Sequence, residues 1–410
     1  MSICYPDVSI PPLNEGMVDY KLFTGYSIKE IINTYLEKND NQYAFFLIDI
    51  NRIVKLYKLW NDYLPNIKPY YAVKCNPDPN FITILSKLGV NFDCASKKEI
   101  ELVIGITKDP FRIIYANPCK QLEYITYAEE KSVDLMTFDC ELELCKIKLF
   151  HPNARLLLRI AVDDSGSLVK FSTKFGCKPE NIEKLLIIAK KEEMNVVGFS
   201  FHVGSGCKNS YQYYNAIHEC KKASLIAEKF GIKCSIIDVG GGFPGCDLDN
   251  LFYNIAQSIH QAMEDFFSEE IEQKTIEFIA EPGRFFAEST HILVVNIIGK
   301  KIIPTNDSNA PIEYIYYIND GVYGSFNCIL FDHAQPVIMP MCEDNNCKLF
   351  PSKIFGPTCD SIDIVTEKVM LPELHIGDWL YVDNFGAYTC AAGSEFNGIE
   401  RPIKYYIARE

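Results

Sequence analysis

Ser235-Ile236-Ile237-Asp238-Val239-Gly240-Gly241-Gly242-Phe243-Pro244-Gly245 is a short apolar run that ends on a carboxylate and opens into a cluster of glycines. A β-branched run of this length bounded by glycine reads as a buried strand followed by a tight turn. Glycines there let backbone N–H groups come close to an anion, so a phosphate cradle and an ordinary βα turn both fit. A dinucleotide fingerprint fits less well, because that motif opens the first βα unit and this run arrives late in the chain. Working outward, the same texture repeats from about residue 44 to 281. Strand candidates are Phe45 to Ile50, Pro69 to Val73, Asn91 to Cys94, Arg112 to Ala116, Val133 to Phe138, Arg155 to Val162, Val196 to Val203, Ser235 to Val239 and Ile276 to Ala280. Segments between them, such as Pro179 to Glu193 and Tyr211 to Phe230, space leucine, isoleucine and alanine at helical intervals. Polar and glycine signals fall after the strands, where a parallel βα (TIM-like) barrel builds its site, so a barrel over residues 44–284 is expected rather than an open doubly wound sheet. The candidates number one more than a closed barrel needs.

After Arg284 the texture changes to longer β-branched and aromatic runs: Ile292 to Ile298, Tyr314 to Ile318, Trp379 to Val382 and Tyr405 to Ile407. An all-β second domain, a sandwich or small barrel, is expected over residues 285–410, with residues 1–43 joining it. Two domains also follow from the 410-residue length, which exceeds what one core ordinarily supports. No low-complexity linker is longer than the polar patch Thr305 to Ala310.

The formal charge of −14 argues against a nucleic-acid or anionic-membrane surface and is compatible with a cationic substrate. The opening Met1-Ser2-Ile3-Cys4-Tyr5-Pro6-Asp7 has no basic segment before an apolar stretch, and no run approaches the roughly 18 apolar residues a membrane helix requires. A cytoplasmic protein is expected. The 16 cysteines are scattered without a Cys-x-x-Cys pair, so they read as reduced thiols. The spacings Cys140 to Cys145 and Cys342 to Cys347 lack a second ligand pair, and no metal is expected.

The chemistry is expected in the loops after the strands. Tyr71-Ala72-Val73-Lys74-Cys75-Asn76-Pro77 puts a lysine at a strand end, where an amine can condense with a carbonyl cofactor; a solvated surface lysine is the alternative. Phe201-His202-Val203-Gly204-Ser205-Gly206-Cys207 offers an imidazole and a hydroxyl, with a hydrogen-bonded core histidine as the plainer reading. Ile279-Ala280-Glu281-Pro282-Gly283-Arg284 offers a carboxylate for a pyridinium nitrogen and a guanidinium for a phosphate, or else a simple ion pair. Taken together, these groups form the inventory for pyridoxal 5′-phosphate.

With these runs, and with Phe92-Asp93-Cys94-Ala95-Ser96, Tyr115 to Lys120, Asn319 to Leu330, Gly356-Pro357-Thr358-Cys359-Asp360 and Gly386-Ala387-Tyr388-Thr389, the chain resembles the fold-type III pyridoxal-phosphate-dependent decarboxylases along nearly its whole length. The resemblance implies that Lys74 carries the cofactor, that Asp93 and Arg159 support it, and that His202 stacks on its ring. Glu281 would bind the ring nitrogen, and Ser205, Gly240, Gly241, Gly242, Arg284 and Tyr388 would surround the phosphate. Cys359 would donate a proton. Asp332 and Asp360, flanked by Phe331 and Phe396, would hold the distal amine of the substrate. Catalytic work would thus fall to Lys74, His202, Glu281 and Cys359.

The same resemblance implies a homodimer whose sites are shared between subunits, with Lys174 and Asp363 as an exposed ion pair joining them. The implied reaction is decarboxylation of L-ornithine to putrescine and CO2, in polyamine biosynthesis. Lysine or arginine as substrate, or a non-catalytic binding homologue, are the alternatives. Phe331, Phe355 and Ser361 stand where Tyr, Trp and Gly are commoner in the family, all near the substrate end. Lys120 to Lys148 matches a segment that binds an inhibitory protein, antizyme, in some relatives. Its residues alone do not decide whether such a regulator binds here.

Overall fold

The computed structural model describes residues 18–38, 42–246, 248–303, 312–341 and 347–410. The opening residues, the patch Thr305 to Ala310 and Cys342 lie outside the described residues. The chain divides into two compact units, one built on Lys55–Phe286 and the other on residues 18–54 with Ala287–Glu410.

The first two strands, β1 (Tyr20–Phe23) and β2 (Phe45–Asp49), belong to the second unit. In the first unit, β3 (Ile67–Ala72), β4 (Asn91–Cys94), β5 (Ile113–Tyr115), β6 (Leu135–Phe138), β7 (Arg155–Arg159), β8 (Asn195–Ser200), β9 (Ile236–Asp238) and β10 (Glu277–Ala280) pair in parallel and close into a barrel, β10 returning to β3. Helices follow the strands. Asp78 caps Pro79–Lys87 by accepting from the N–H groups of Asn80 and Phe81, with proline at the first helical position. Ser96 caps Lys97–Thr107 through the N–H of Glu99. These two caps fix the helix starts after β3 and β4, whereas the helices Leu122–Glu130, Glu141–Phe150, Pro179–Lys191 and Tyr211–Glu228 begin without a side-chain cap.

One expected barrel strand is corrected. Phe45–Asp49 pairs with strands of the second unit, antiparallel to β11 (His291–Ile303) and parallel to β17 (Ile403–Arg409). Its five residues are all buried, which is why its unbroken apolar run looks like a parallel barrel strand. Around β11 the second unit forms a nine-stranded, mostly antiparallel sheet that also contains β12 (Glu313–Ile318), β13 (Ile338–Pro340), β14 (Leu349–Phe355), β15 (Ile364–Pro372) and β16 (Trp379–Val382). The first half of β11 pairs with β2 and β16, while the second half, beyond an irregularity between Ile297 and Gly299, pairs with β12. Its core gathers Phe45, Leu47, Ile292, Val294, Tyr381 and Ile407 with Ile31, Ile32 and Tyr35 of the helix Ile28–Leu36.

Candidate active site

Along a strand, residues two apart point the same way. Tyr70, Ile114, Leu135, Leu157, Ile236 and Ile279, one from each of six barrel strands, pack into a single apolar cluster inside the barrel. Two residues further on these strands come Ala72, Ala116, Thr137, Arg159, Asp238 and Glu281, and β4 contributes Asp93. One step of two therefore turns an apolar plug into a polar floor at the carboxyl ends of the strands. Thr137 Oγ1, Ser200 Oγ, Asp93 Oδ1, Asp238 Oδ2 and Glu281 Oε1 are buried there without a hydrogen-bond partner among the described residues. Leaving such atoms unpaired costs about 1–3 kcal/mol each, which points to a ligand that pairs with them.

Lys74 lies in a single 3₁₀ turn, Val73–Cys75, directly after β3, and its Nζ is 2.6 Å from Asp93 Oδ2. Asp93 is almost fully buried while the lysine side chain is 40% exposed, so the carboxylate holds the amine from below. Opposite it, three loops close on one another. A Cβ on Gly240 would stand 2.1 Å from the Phe201 carbonyl, one on Gly241 would stand 2.8 Å from His202 Nε2, and one on Gly242 would stand 2.7 Å from the Gly204 carbonyl. Gly240 and Gly242 also have φ of 66° and 101°, so only glycine serves at these two positions. His202 Nδ1 accepts the Gly204 N–H at 2.9 Å. Burial, with the nearby Arg159 and Lys74 cations, pushes this imidazole well below its ordinary pKa. The ring is therefore neutral and carries its proton on Nε2. Arg284 Nη2 donates to Ser205 Oγ at 3.3 Å, which joins the two expected phosphate ligands.

The acid end of the floor holds a coupled pair. Burial raises the carboxyl of Glu281 well above its usual range, and the negative charges of Asp238 and Asp93 add to the rise. Burial likewise pushes Asp238 up to about 7, although the N–H of Gly240, which donates to its Oδ1 at 2.9 Å, pulls the other way. Arg159 is shifted downward by burial, against the pull of Glu281, Asp139, Asp238 and Asp93. Three carboxyl groups thus face two cations, and burial favours the protonated form of both Glu281 and Asp238.

The family described as "Pyridoxal-dependent decarboxylase, pyridoxal binding domain" matches residues 50–288, which takes in the whole barrel. The chain belongs to the pyridoxal-dependent decarboxylases. Among similar members, the ornithine decarboxylase of Caenorhabditis elegans is 47% identical over 382 residues, covering 92% of this chain and 89% of that protein. Antizyme inhibitor 2 of Xenopus laevis is 45% identical over 390 residues, covering 93% and 85%. The crystal structure of the Paramecium bursaria Chlorella virus arginine decarboxylase bound to agmatine superposes with a TM-score of 0.87 at 37% identity, covering 92% and 100%. This pyridoxal-dependent decarboxylase uses pyridoxal phosphate, and its barrel residues fit that group: unpaired acceptors for a protonated ring and its substituents, a lysine for the aldehyde, and an Arg–Ser pair for the phosphate.

The remaining expected residues lie in the second unit. The loop after β14 carries Cys359 and Asp360. Cys359 is exposed, and its N–H donates to Asn397 Oδ1 at 3.0 Å. The Tyr323 hydroxyl donates to Asp360 Oδ2 at 2.5 Å and holds that carboxyl below its ordinary range, while the Tyr323 ring stacks on Phe396 at 4.5 Å. Cys359, Asp360 and Phe396 therefore share one loop cluster. Phe331 and Asp332 lie on another element, the end of the short helix Cys328–Phe331, with Phe331 largely exposed. Tyr388 has φ of 56°, a strained setting for a bulky side chain and one that marks functional loops.

Asp363 differs from expectation. It is 1% exposed, its Oδ1 accepts from Val322 N–H, and its Oδ2 accepts from both the N–H and the hydroxyl of Thr358. These bonds tie Asp363 to the loop that bears Cys359, so it is not the exposed carboxylate expected of it; Lys174 Nζ lies over the Phe175 ring. Sequence reasoning also passed over Asp238 and Tyr323 as site residues. The first was legible from its step of two beyond Ile236. The second depends on a contact across the fold that no local pattern carries.

Proposed function

We propose that this chain decarboxylates L-ornithine to putrescine and CO2 with pyridoxal phosphate. The observation that carries the reading is Lys74 set 2.6 Å from buried Asp93 at the mouth of a barrel whose floor holds Glu281. When bound, the cofactor supplies the electron sink that takes up the electron pair of the departing carboxylate. The chain does the rest. Lys74 anchors the aldehyde carbon and is exchanged for the substrate amine. Glu281, whose carboxyl burial raises in the cofactor-free chain, would give its proton to the ring nitrogen and hold the resulting N–H as a carboxylate acceptor, with Asp238 beside it. His202, neutral, offers a ring face without adding charge. Arg284 and Ser205 hold the phosphate with Gly240-Gly241-Gly242 and Tyr388, and Arg159 balances the carboxyl groups.

Cys359 then returns a proton to the α-carbon, while Asp332 and Asp360, beside Phe331 and Phe396, receive the distal ammonium of the substrate. Two acidic residues suit a cationic end and disfavour a substrate that ends in a second carboxylate. We take the working form to be a homodimer in which the exposed Cys359 loop of one copy serves the barrel of the other. The cysteines among the described residues are all free thiols, which fits a reducing cytoplasm.

Two other readings have specific support. The likeness to an arginine decarboxylase bound to agmatine favours a longer substrate, and the likeness to an antizyme inhibitor favours a non-catalytic binding role. Against the second, Lys74, Asp93, Glu281, Arg284 and Cys359 are all present. Borohydride reduction of the purified, pyridoxal-phosphate-loaded protein, followed by peptide mapping, tests the assignment. A cofactor adduct on Lys74 is expected. A colourless protein with unmodified Lys74 overturns the enzyme reading.

A further inference from the structure

The segment between β7 and the helix Pro179–Lys191 is pinned at both ends. Asp164, buried, accepts from the Phe171 N–H at 2.6 Å, the Ser172 N–H at 2.8 Å and the Ser172 hydroxyl at 2.6 Å. At the other end, the Gly176 N–H donates to Asp139 Oδ2 at 2.9 Å and the Cys177 N–H donates to the Arg159 carbonyl at 2.8 Å. Between these anchors a single helical turn, with the Phe175 N–H donating to the Phe171 carbonyl at 3.0 Å, presents two aromatic rings four residues apart. Phe171 meets His202 edge to face, with centroids 4.8 Å apart and planes at 76°. Phe175 lies against the Arg159 guanidinium at 5.1 Å.

The His202 ring is also held by the Gly204 N–H on Nδ1 and lies close to the Gly241 backbone near Nε2. Phe171, standing perpendicular to it, adds a third contact that limits tilting of the ring. We propose that Phe171, clamped by Asp164, is a positioning residue that fixes the plane of His202 for the pyridine ring of the cofactor. The inference rests on the reading of His202 as the stacking residue. Without the Phe171 ring, cofactor binding has to immobilise His202 itself, at about 0.5–1.5 kcal/mol, so loss of the ring lowers cofactor affinity about 2- to 13-fold.

The test is a double-mutant cycle read as affinity for pyridoxal 5′-phosphate, by titrating the cofactor-free protein and following visible absorbance. Thermal unfolding checks that each variant is folded. Phe171→Leu keeps the bulk and loses the aromatic edge; it should weaken binding by the stated factor, and Phe171→Tyr should restore it. In a His202→Ala background, Phe171→Leu should cost nothing further. An undiminished loss in that background means that Phe171 acts through general loop stability and overturns the proposal alone, as does a Phe171→Leu variant that binds normally. Unchanged binding by His202→Ala itself overturns the stacking assignment and the proposal together.

Discussion

Asp238→Asn should make the cofactor-free protein more stable, by an amount that grows with pH. The Asp238 carboxyl stands at about 7 in the folded chain against an ordinary 3.8. Below pH 3.8 both folded and unfolded chains hold the proton, and the group costs nothing. Between the two values the folded chain keeps a proton that the unfolded chain has released, so stability falls as pH rises, by up to about 1.4 kcal/mol per pH unit. Above pH 7 both are ionised and the loss levels off. Summed over the interval, the cost is at most about 4 kcal/mol at pH 8 and less than half of that at pH 5. Asparagine keeps an oxygen for the Gly240 N–H and cannot ionise. Removing the charge also relieves Glu281, whose carboxyl Asp238 helps to raise. Urea unfolding of wild type and variant at pH 5, 6, 7 and 8 gives the difference directly. A gap that widens up to pH 7 and then flattens is expected. A gap independent of pH, or a variant less stable than wild type at pH 8, refutes the reasoning. Greater stability should come with weaker cofactor binding, since the floor is strained for its ligand.

Other outcomes follow from the same geometry. Lys120 and Glu143 form an ion pair at 2.9 Å with both side chains essentially inaccessible, and Lys146 pairs with the same carboxylate, so Glu143→Gln should cost about 3 kcal/mol in urea unfolding. Burial lowers the Lys120 pKa, so the deficit should shrink at alkaline pH as the ammonium, left with the Asn117 and Thr137 carbonyls, gives up its proton. If the sites are shared, mixing inactive Lys74→Ala and Cys359→Ala chains should restore part of the activity; no recovery despite demonstrated subunit exchange counts against the dimer.

Much of the barrel was legible because its strands are short buried runs separated by segments of helical spacing, two of them opened by a cap, at Asp78 and Ser96. Phe45–Asp49 misled, since full burial erases the alternation that separates a strand of a mixed sheet from a barrel strand. The strands Leu349–Phe355 and Ile364–Pro372 escaped notice: the first is broken by Pro351 and the second by Thr366, Glu367 and Lys368, which leave only the short run Val369 to Leu371. In the site, Lys74, His202, Glu281 and Arg284 stood out because each ends a strand or opens the turn after it. Cys359 and Asp332 drew attention only through family resemblance, because nothing local separates them from surface residues. The exposure expected of Asp363 was wrong, because burial of a loop carboxylate is decided by backbone N–H groups elsewhere in the chain, here those of Thr358 and Val322.

The most direct test of the central claim is CO2 release from L-ornithine, L-lysine and L-arginine, measured in parallel on wild type and Lys74→Ala loaded with pyridoxal phosphate. The account predicts fastest release from ornithine by wild type and near-complete loss in the variant. Preference for lysine or arginine would contradict the substrate assignment, and undiminished release by Lys74→Ala would contradict the mechanism.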